Sequence, residues 1–471
     1  MQCELRPYQI EGVSWLQFLR ASNLAGILAD DMGLGKTVQT LAHILIEKES
    51  GRMKKPALII APTTLMGNWA QETARFAPEL KVLILQGNER KKYFDAIPNH
   101  DIILTTYPLL ARDQEILLQQ DFHLMILDEA QNIKNAKTQA HHTIRQIPAK
   151  HKLCLTGTPM ENHLGELWSF FHILLPGFLG DEKQFYRLFR KPIEKEGSLE
   201  RRGILQKRIH PFMLRRTKGE VAIELPPKTE ILSPIELSPS QKDLYEAVRL
   251  AMMKKVMAEV ESKGMARSHI IVLDALLKLR QICCDPRLLK NSKMEFNMEH
   301  SAKLSFLMEF IAQLLQEKRQ ILLFSQFTSM LTLIEEELQA QKISYAIITG
   351  ETTDRITPVQ EFQTGIKPLM LISLKAGGTG LNLTAADTVI HYDPWWNPAV
   401  ENQATDRAHR MGQTKPVFVY KFIATGSIEE KILSLQTRKK EMADGLFDSS
   451  NALPMEMNLD ELHSLFEPLQ V

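Results

Sequence analysis

Residues 30–37, which read DDMGLGKT, have the residue types and the spacing of a loop that binds a polyphosphate. Glycine-rich turns let backbone N–H groups approach phosphate oxygens at the start of a helix. Lys36 could then reach the β and γ phosphates, and Thr37 could hold Mg²⁺. The usual spacing has a glycine five residues before Gly35, whereas this chain has Asp30, so the loop is a variant. A simple helix-capping turn is the alternative interpretation of this octapeptide.

Asp128 and Glu129 form a second group that could do chemistry. They directly follow the apolar run 124–127, so both carboxylates are predicted at the carboxyl end of a buried strand, where α/β sheets bind ligands. Asp128 is predicted to hold Mg²⁺, and Glu129 to orient the water that attacks the phosphate. An Asp-Glu pair is usually a surface feature, but its position after a phosphate loop and an apolar strand favours a nucleotide site.

Two further segments have side chains suited to phosphate chemistry. Thr156 and Thr158 follow a predicted strand, where their hydroxyls could sense the phosphate state; an ordinary turn is the alternative. Arg407 and Arg410 are three residues apart and would share one face if their segment is helical. Their permanent charge could stabilise a phosphoryl group during transfer, whereas a surface salt-bridge helix is the alternative.

Short apolar runs that alternate with helix-compatible stretches predict two parallel α/β sheets. The first series comprises residues 25–29, 57–61, 82–85, 102–105, 124–127 and 152–156. The second series comprises residues 321–324, 345–348, 369–373, 389–392 and 417–422. The intervening stretch has mainly helical patterns and predicts helical insertions. Pro226 and Pro227 are the best candidates for the connection between the two halves.

Composition limits the class of protein. The 471 residues include 44% apolar and 24% charged residues, which is typical of globular chains, and the length suggests about two to four domains. The four cysteines lack the CxxC spacing of a zinc or redox site, so we expect a reducing compartment and no structural metal. No apolar run approaches the length of about 20 residues that a membrane helix requires, and the first residues do not resemble a signal peptide. A soluble intracellular protein is therefore predicted.

Charge is unevenly distributed although the net charge is only +1. Residues 182–218 contain 12 Lys and Arg against 4 Glu, whereas residues 441–471 contain 7 acidic residues and no Lys or Arg. A solvated basic helix and an acidic tail are the ordinary interpretation. The basic stretch could instead contact a polyanion if another part of the chain requires one.

Nine motifs occur in order along the chain: LRPYQ at 5–9, DDMGLGKT at 30–37, IAPT at 60–63, TTY at 105–107, DEAQ at 128–131, LTGTP at 155–159, LFSQF at 323–327, AGGTGLNL at 376–383 and QATDRAHRMGQ at 403–413. Together they resemble the Swi/Snf-type (sucrose non-fermenting) remodelling ATPases, a branch of helicase superfamily two. The resemblance runs from about residue 5 to about residue 440. The run QNIKN at 131–135 looks most like bacterial members.

The resemblance implies two RecA-like lobes of the P-loop NTPase class, with ATP and Mg²⁺ in the cleft between them. Hydrolysis would then require the lobes to close. Thr37 and Asp128 would bind Mg²⁺, and Gln9 would contact the adenine. The full ATP-binding set would be Gln9, Asp31, Met32, Gly33, Leu34, Gly35, Lys36, Thr37 and Gln403. The catalytic set would be Lys36, Asp128, Glu129, Arg407 and Arg410, with the two arginines as arginine fingers.

The resemblance also implies a track for duplex DNA, held through its phosphate backbone without sequence preference. The residues that match DNA-contacting positions are Thr63, Trp69, Thr105, Thr106, Ser325, Gln326, Lys375, Gly378, Thr379 and Asn382. The basic stretch 182–218 is then expected to touch phosphates. Residues expected to couple the sites are Gln131, Thr156, Thr158, Trp395 and Trp396. For the two tryptophans, burial in a core or base stacking are alternatives, and the resemblance makes base stacking unlikely.

The predicted domains are a first lobe at 1–232, with a helical insertion at about 160–218, and a second lobe at 233–471. The second lobe is expected to have an insertion at about 238–300 and a C-terminal brace helix at about 427–440. Two departures from the family pattern are Gln131, where many relatives have His, and Asp31, where Glu is commoner. Because the chain begins close to the adenine motif, we expect a catalytic core of a longer protein.

The sequence therefore predicts a monomeric, ATP-dependent motor that moves along duplex DNA and displaces or remodels DNA-bound protein complexes without separating strands. If the protein is bacterial, the predicted location is the cytoplasm, in association with the nucleoid. If it is eukaryotic, the predicted location is the nucleus. Alternatives are a strand-separating DNA or RNA helicase, an ATPase that acts on RNA polymerase, and a DNA-binding scaffold that does not hydrolyse ATP.

Overall fold

The computed structural model describes residues 1–157, 159–160, 163–221, 224–263, 268–289, 298–377, 381–434 and 466–469. The chain divides into two compact units, and the boundary lies between Glu224 and Leu225. Each unit has its own parallel β-sheet. Among the described helices, none combines the length and the apolar content that crossing a membrane requires.

The first unit contains a seven-stranded sheet in the order β3-β4-β2-β5-β6-β1-β7. Its strands are β1 (Gly26–Leu28), β2 (Ala57–Ala61), β3 (Val82–Ile84), β4 (Ile102–Thr106), β5 (Phe122–Asp128), β6 (Ala149–Leu155) and β7 (Met213–Leu214). Its main helices are α1 (Pro7–Ala21), α2 (Lys36–Glu49), α3 (Met66–Phe76), α4 (Gln114–Leu118), α5 (Gln139–Gln146), α6 (Leu164–Leu174), α7 (Glu182–Phe185), α8 (Lys191–Glu194), α9 (Leu199–Ile209) and α10 (Lys218–Val221).

The second unit contains a six-stranded sheet in the order β10-β11-β9-β12-β13-β8. Its strands are β8 (Lys228–Ile235), β9 (Ile321–Ser325), β10 (Tyr345–Ile348), β11 (Leu369–Ser373), β12 (Thr388–His391) and β13 (Val417–Ala424). Its helices include α11 (Pro239–Lys263), α12 (His269–Cys284), α13 (Ala302–Gln316), α14 (Thr328–Ala340), α15 (Ile356–Gln363), α16 (Leu374–Gly377) and α17 (Pro398–Thr405).

The predicted α/β class with two parallel sheets is confirmed, since every predicted apolar run overlaps one of these strands. Strands β2, β4, β9 and β11 are buried along their whole length. Helices cover both faces of a parallel sheet, so its central strands are mostly apolar. The predicted insertions contain helices, α6 to α10 in one and α11 with α12 in the other. Of the predicted brace helix, residues 428–434 are helical and residues 435–440 lie outside the described part of the chain.

Two strands, β7 and β8, were not predicted from the sequence. β8 pairs in parallel with β13 over its full length, so it belongs to the second sheet. The predicted domain boundary at 232/233 therefore cuts through β8, and residues 228–232 belong to the second unit. The sequence pattern is misleading because β8 is an edge strand, largely exposed at its start, and contains Pro234, which edge strands tolerate.

Three histidines surround the buried carboxylate of Glu47 in the first unit. His123 Nε2 donates to Glu47 Oε2 at 3.0 Å, and the guanidinium of Arg52 also donates to Glu47. Burial lowers the pKa of His43 and of His151 to about 4. Both histidines are therefore neutral in the folded protein at neutral pH.

We expect the contribution of His43 and His151 to the free energy of unfolding to fall as the pH drops from about 6.5 towards 4. Over this range the unfolded chain binds protons at His43 and His151, whereas the folded chain does not, so acid favours unfolding. Chemical denaturation across this pH range measures the effect. The variant His151→Leu removes one of these groups and should flatten the profile, and an unchanged slope would contradict the explanation.

Candidate active site

The phosphate loop connects the end of β1 to the start of α2. Gly33 and Gly35 have φ angles of +86° and +78°, which glycine adopts without strain. A side-chain carbon at Gly35 would lie 2.6 Å from Gln9 Nε2, so a larger residue would have to displace the Gln9 amide. The ammonium of Lys36 donates to the main-chain oxygens of Asp30 at 2.6 Å and Asp31 at 3.2 Å. The loop thus presents a lysine at a helix N-terminus, an arrangement suited to anionic phosphates.

Helix α1 packs its predicted adenine-contacting residue against this loop. Gln9 is 8% exposed, and its Nε2 donates to the main-chain oxygen of Leu34 at 3.2 Å. The hydroxyl of Tyr8 donates to the same oxygen at 3.1 Å. The contact between Gln9 and adenine stays a prediction, but the structure ties Gln9 directly to the phosphate loop.

Asp128 is the last residue of β5 and lies in a polar cluster. Burial, together with the neighbouring Glu129 carboxylate, raises the pKa of Asp128 to about 7, while a hydrogen bond from Trp69 and the charge of Lys36 oppose the rise. The indole N–H of Trp69 donates to Asp128 Oδ2 at 2.8 Å. Asp128 and Glu129 supply adjacent carboxyl groups, and Thr37 at the start of α2 supplies a hydroxyl. These are oxygen donors of the kind that Mg²⁺ prefers, so the residue types fit that ion.

A short chain of hydrogen bonds connects Glu129 to the LTGTP motif. Gln131 Nε2 donates to Glu129 Oε2 at 2.7 Å, and Thr156 Oγ1 donates to Gln131 Oε1 at 3.0 Å. Glu129 itself has a φ angle of +47°, which is rare for a residue with a side chain. A side-chain carbon at Gly157 would lie 2.8 Å from Met32 Cγ and 3.8 Å from Lys36 Nζ. The DEAQ motif, the LTGTP motif and the phosphate loop therefore meet in one place. Thr158 lies outside the described residues.

The two predicted arginine fingers lie in the second unit, but not on a helix face. Helix α17 ends at Thr405, and residues 406–412 form turns and bends. Arg407 is 5% exposed, and its main-chain oxygen accepts from the N–H of Leu383, which fixes this segment beside the preceding motif. The shared helix face was expected only for a helical segment, and this segment is not helical. Their catalytic role and the role of Gln403 stay predictions.

The predicted DNA-contacting side chains fall into two groups. Thr63, Lys375 and Asn382 are exposed and Gln326 is half-buried, whereas Gly378 and Thr379 lie outside the described residues. Four others are at most 2% exposed, and their contacts with DNA stay predictions: Trp69, Thr105, Thr106 and Ser325. Trp69 bonds Asp128, and Ser325 Oγ donates to Asp393 Oδ1 at 2.6 Å. The two threonines are the last two residues of β4.

Arg280 of α12 is a residue that sequence analysis missed. It is 2% exposed and donates to Gln326 Oε1 at 3.1 Å and to the main-chain oxygen of Pro394 at 2.5 Å. Its guanidinium lies 5.4 Å from the Trp395 ring and 6.0 Å from the Trp396 ring. This arginine therefore connects a predicted DNA-contacting residue to the tryptophan pair. The available signal was its spacing, since residue 280 lies four positions after the buried Leu276 on the apolar face of α12.

The two tryptophans connect two cores of the second unit. Trp395 packs against the core around the sheet, and Trp396 packs against the core formed with α11 and α12. Burial raises the pKa of the adjacent Asp393 to about 6, and the charge of Arg280 opposes that rise. The packing fits the burial alternative for these residues, and coupling between lobes stays a prediction.

The end of the basic stretch has a different role from the expected one. Arg216 is 8% exposed, and its guanidinium makes two hydrogen bonds with the carboxylate of Asp30, at 2.9 and 2.6 Å. A buried, paired guanidinium is not available to a DNA phosphate. The expectation that residues 182–218 contact phosphates is therefore wrong for Arg216, which instead lies beside the phosphate loop.

Comparison with known proteins places these motifs in one family. Residues 8–288 match the family model of the SNF2-related domain, and residues 302–412 match the helicase conserved C-terminal domain. YwqA of Bacillus subtilis is 44% identical over 98% of this chain and 50% of its own length. The "Uncharacterized ATP-dependent helicase MG018" of Mycoplasma genitalium is 40% identical over 98% of this chain and 44% of its own length.

Eukaryotic and archaeal proteins are also similar. The yeast "ISWI chromatin-remodeling complex ATPase ISW1" of Saccharomyces cerevisiae is 34% identical over 93% of this chain and 40% of its own length. A solved structure, the "Sulfolobus solfataricus SWI2/SNF2 ATPase core in complex with dsDNA", is 36% identical, with a TM-score of 0.49 over 100% of this chain and 98% of that one. The chain spans about half the length of the curated relatives it matches.

We expect Trp69→Phe to lower ATP turnover by about 10-fold, because the residue that orients the Asp128 carboxylate loses its hydrogen bond. DNA affinity without nucleotide should not change, since Trp69 is buried. Steady-state hydrolysis and fluorescence anisotropy with labelled duplex DNA measure the two quantities.

The matched control is Thr63→Ala, which changes an exposed residue of the same motif. It should weaken DNA binding and leave turnover at saturating DNA unchanged. The opposite pattern, with DNA binding lost in Trp69→Phe and turnover retained, would support the predicted DNA contact by Trp69.

Proposed function

Because this chain belongs to the SNF2 family of ATP-dependent helicases and translocases, we propose that it hydrolyses ATP to move along double-stranded DNA. In doing so it displaces or remodels protein complexes bound to that DNA, without separating the strands. The observation that carries the proposal is the convergence of three motifs in the first unit. They contribute Lys36 at the loop, the Asp128–Glu129 pair and the Glu129–Gln131–Thr156 hydrogen bonds.

Each of these residues has a distinct role in hydrolysis. The Lys36 ammonium offsets the negative charge of the phosphates, and oxygens of Thr37 and Asp128 would hold Mg²⁺. When bound, Mg²⁺ supplies positive charge to the phosphate oxygens. Glu129 orients the attacking water, and the amide of Gln131 holds the Glu129 carboxylate in place. Arg407 and Arg410 of the second unit stabilise the charge that develops during phosphoryl transfer.

Family membership supports duplex DNA as the track, since ISW1 is named as the ATPase of a chromatin-remodelling complex. Thr63, Lys375 and Asn382 supply exposed hydroxyl, ammonium and amide groups, which suit phosphate oxygens. Contacts of this kind position a protein on DNA without reading its sequence. The proposal therefore implies binding that is independent of sequence and weakened by salt.

The decisive experiment measures steady-state ATP hydrolysis at low salt, without polymer and then with duplex DNA, single-stranded DNA or RNA. We expect duplex DNA to stimulate the wild-type chain most. Glu129→Gln should lower the stimulated rate by about 100-fold or more, because the group that orients the water loses its charge. Glu115→Gln is the matched control, since Glu115 is exposed on α4, and it should hydrolyse ATP at the wild-type rate.

A triplex-displacement assay then tests movement along duplex DNA. Release of the third strand in wild type, but not in Lys36→Ala, is the expected result. Greater stimulation by single-stranded DNA or RNA, with unwinding of a forked duplex, would replace the proposal by the strand-separating helicase. Equal rates for Glu129→Gln and wild type would favour the non-hydrolysing scaffold.

A further inference from the structure

The strongest unexplained feature is the ion pair between Asp30 and Arg216. Both side chains are nearly completely buried, and Asp30 stands where the usual phosphate loop has a glycine. We propose that this pair positions the nucleotide-binding elements of the first unit, and that Arg216 is a positioning residue for ATP binding. The inference rests on the proposed function, since it assumes that the loop binds ATP.

The pair is the centre of a junction between four segments. Arg216 donates from Nη1 to the main-chain oxygen of Tyr8 on α1, and from Nη2 to Gln39 Oε1 on α2 at 2.9 Å. Gln39 Nε2 in turn donates to Asp30 Oδ2 at 3.1 Å. The four segments are α1, the phosphate loop, α2 and the stretch after β7. Three of them carry predicted ATP-binding residues.

Main-chain bonds continue the contact along the loop. The N–H of Ala29 donates to the oxygen of Leu214 at 2.7 Å, and the N–H of Asp31 donates to the oxygen of Arg216 at 3.0 Å. The N–H of Lys218 donates to Asp31 Oδ2 at 3.0 Å. Residues 214–218 are therefore bonded to residues 29–31 at three points, so we expect a displacement of Arg216 to shift the loop.

Asp30 connects Arg216 to Lys36, the lysine predicted to bind the phosphates. Arg216 holds the Asp30 carboxylate, and the main-chain oxygen of Asp30 accepts from the Lys36 ammonium at 2.6 Å. If the phosphate loop lost its contact with Arg216, both Lys36 and the N–H groups at the start of α2 would thus move. Small misplacements of such groups weaken binding strongly, because their hydrogen bonds depend on distance and direction.

Gly12 shows how closely the junction is packed. It lies inside α1, where glycine is less favourable than alanine. A side-chain carbon there would lie 1.9 Å from Gln39 Oε1 and 2.8 Å from Arg216 Nη2. The helix can approach the ion pair only because residue 12 lacks a side chain, so the adenine motif and the ion pair are held at a fixed separation.

A buried ion pair does not by itself imply stabilisation, since desolvation offsets much of the attraction. The first unit offers a matched control for this question. Arg90 and Asp113 form another buried pair with two hydrogen bonds, at 2.6 and 2.8 Å, and neither contacts the phosphate loop. Breaking either pair leaves a buried charge, but only the Asp30–Arg216 pair touches nucleotide-binding elements.

The test compares Arg216→Met with Arg90→Met in the full chain. It measures melting temperature, the Kd for a fluorescent ATP analogue with Mg²⁺, and KM and kcat for ATP. We expect both variants to melt at lower temperature, and only Arg216→Met to raise Kd and KM by about 10-fold or more. A purely structural pair would instead lower kcat in proportion to the folded fraction, with KM unchanged.

Should Arg216→Met fail to fold, Asp30→Asn decides the question. It keeps the shape of the side chain and removes the charge, and a several-fold rise in Kd is expected. Wild-type Kd and KM in folded Arg216→Met or Asp30→Asn would overturn the inference and leave the proposed function intact. No binding of the ATP analogue by the wild-type chain would instead overturn the proposed function, and the inference with it.

Discussion

Parallel pairing of β5, β6 and β1 is the constraint on which the first unit depends. Asp128 aligns with Leu155 of β6, and Leu155 aligns with Leu28 of β1. Since the carboxyl ends of parallel strands lie at the same edge of the sheet, Leu28 and Asp128 come close together although they are 100 positions apart in the sequence. The Asp128 and Glu129 carboxylates, the LTGTP motif and the phosphate loop are therefore neighbours because of strand order alone. Side-chain hydrogen bonds then fix their orientation.

The sequence predicted features that follow from periodicity. Buried parallel strands are mostly apolar, so all of the predicted runs overlapped real strands, and motifs at their ends were placed correctly in the fold. β8 was missed because an exposed edge strand with a proline reads as a linker. β7 was missed because two residues give no pattern.

Side-chain environment was harder to predict than position. Trp69 and Ser325 belong to motifs that were assigned to DNA, and the sequence could not reveal that they bond Asp128 and Asp393. Arg216 looked like one more charge in a basic run. Its partner Asp30 is 186 residues away in sequence, and only the fold brings the two together. Arg280 shows the same limit in the second unit.

The position of β7 also bears on the order in which the first unit can assemble. β1 lies near the start of the chain, yet its neighbour β7 follows helices α6 to α9. During synthesis, β1 can pair with β6 on one side while its other side still presents unpaired N–H and C=O groups. Such open edges promote association between chains. A ribosome that pauses before residue 213, or a protease that cuts there, would thus leave a nearly complete sheet with an exposed edge beside the phosphate loop.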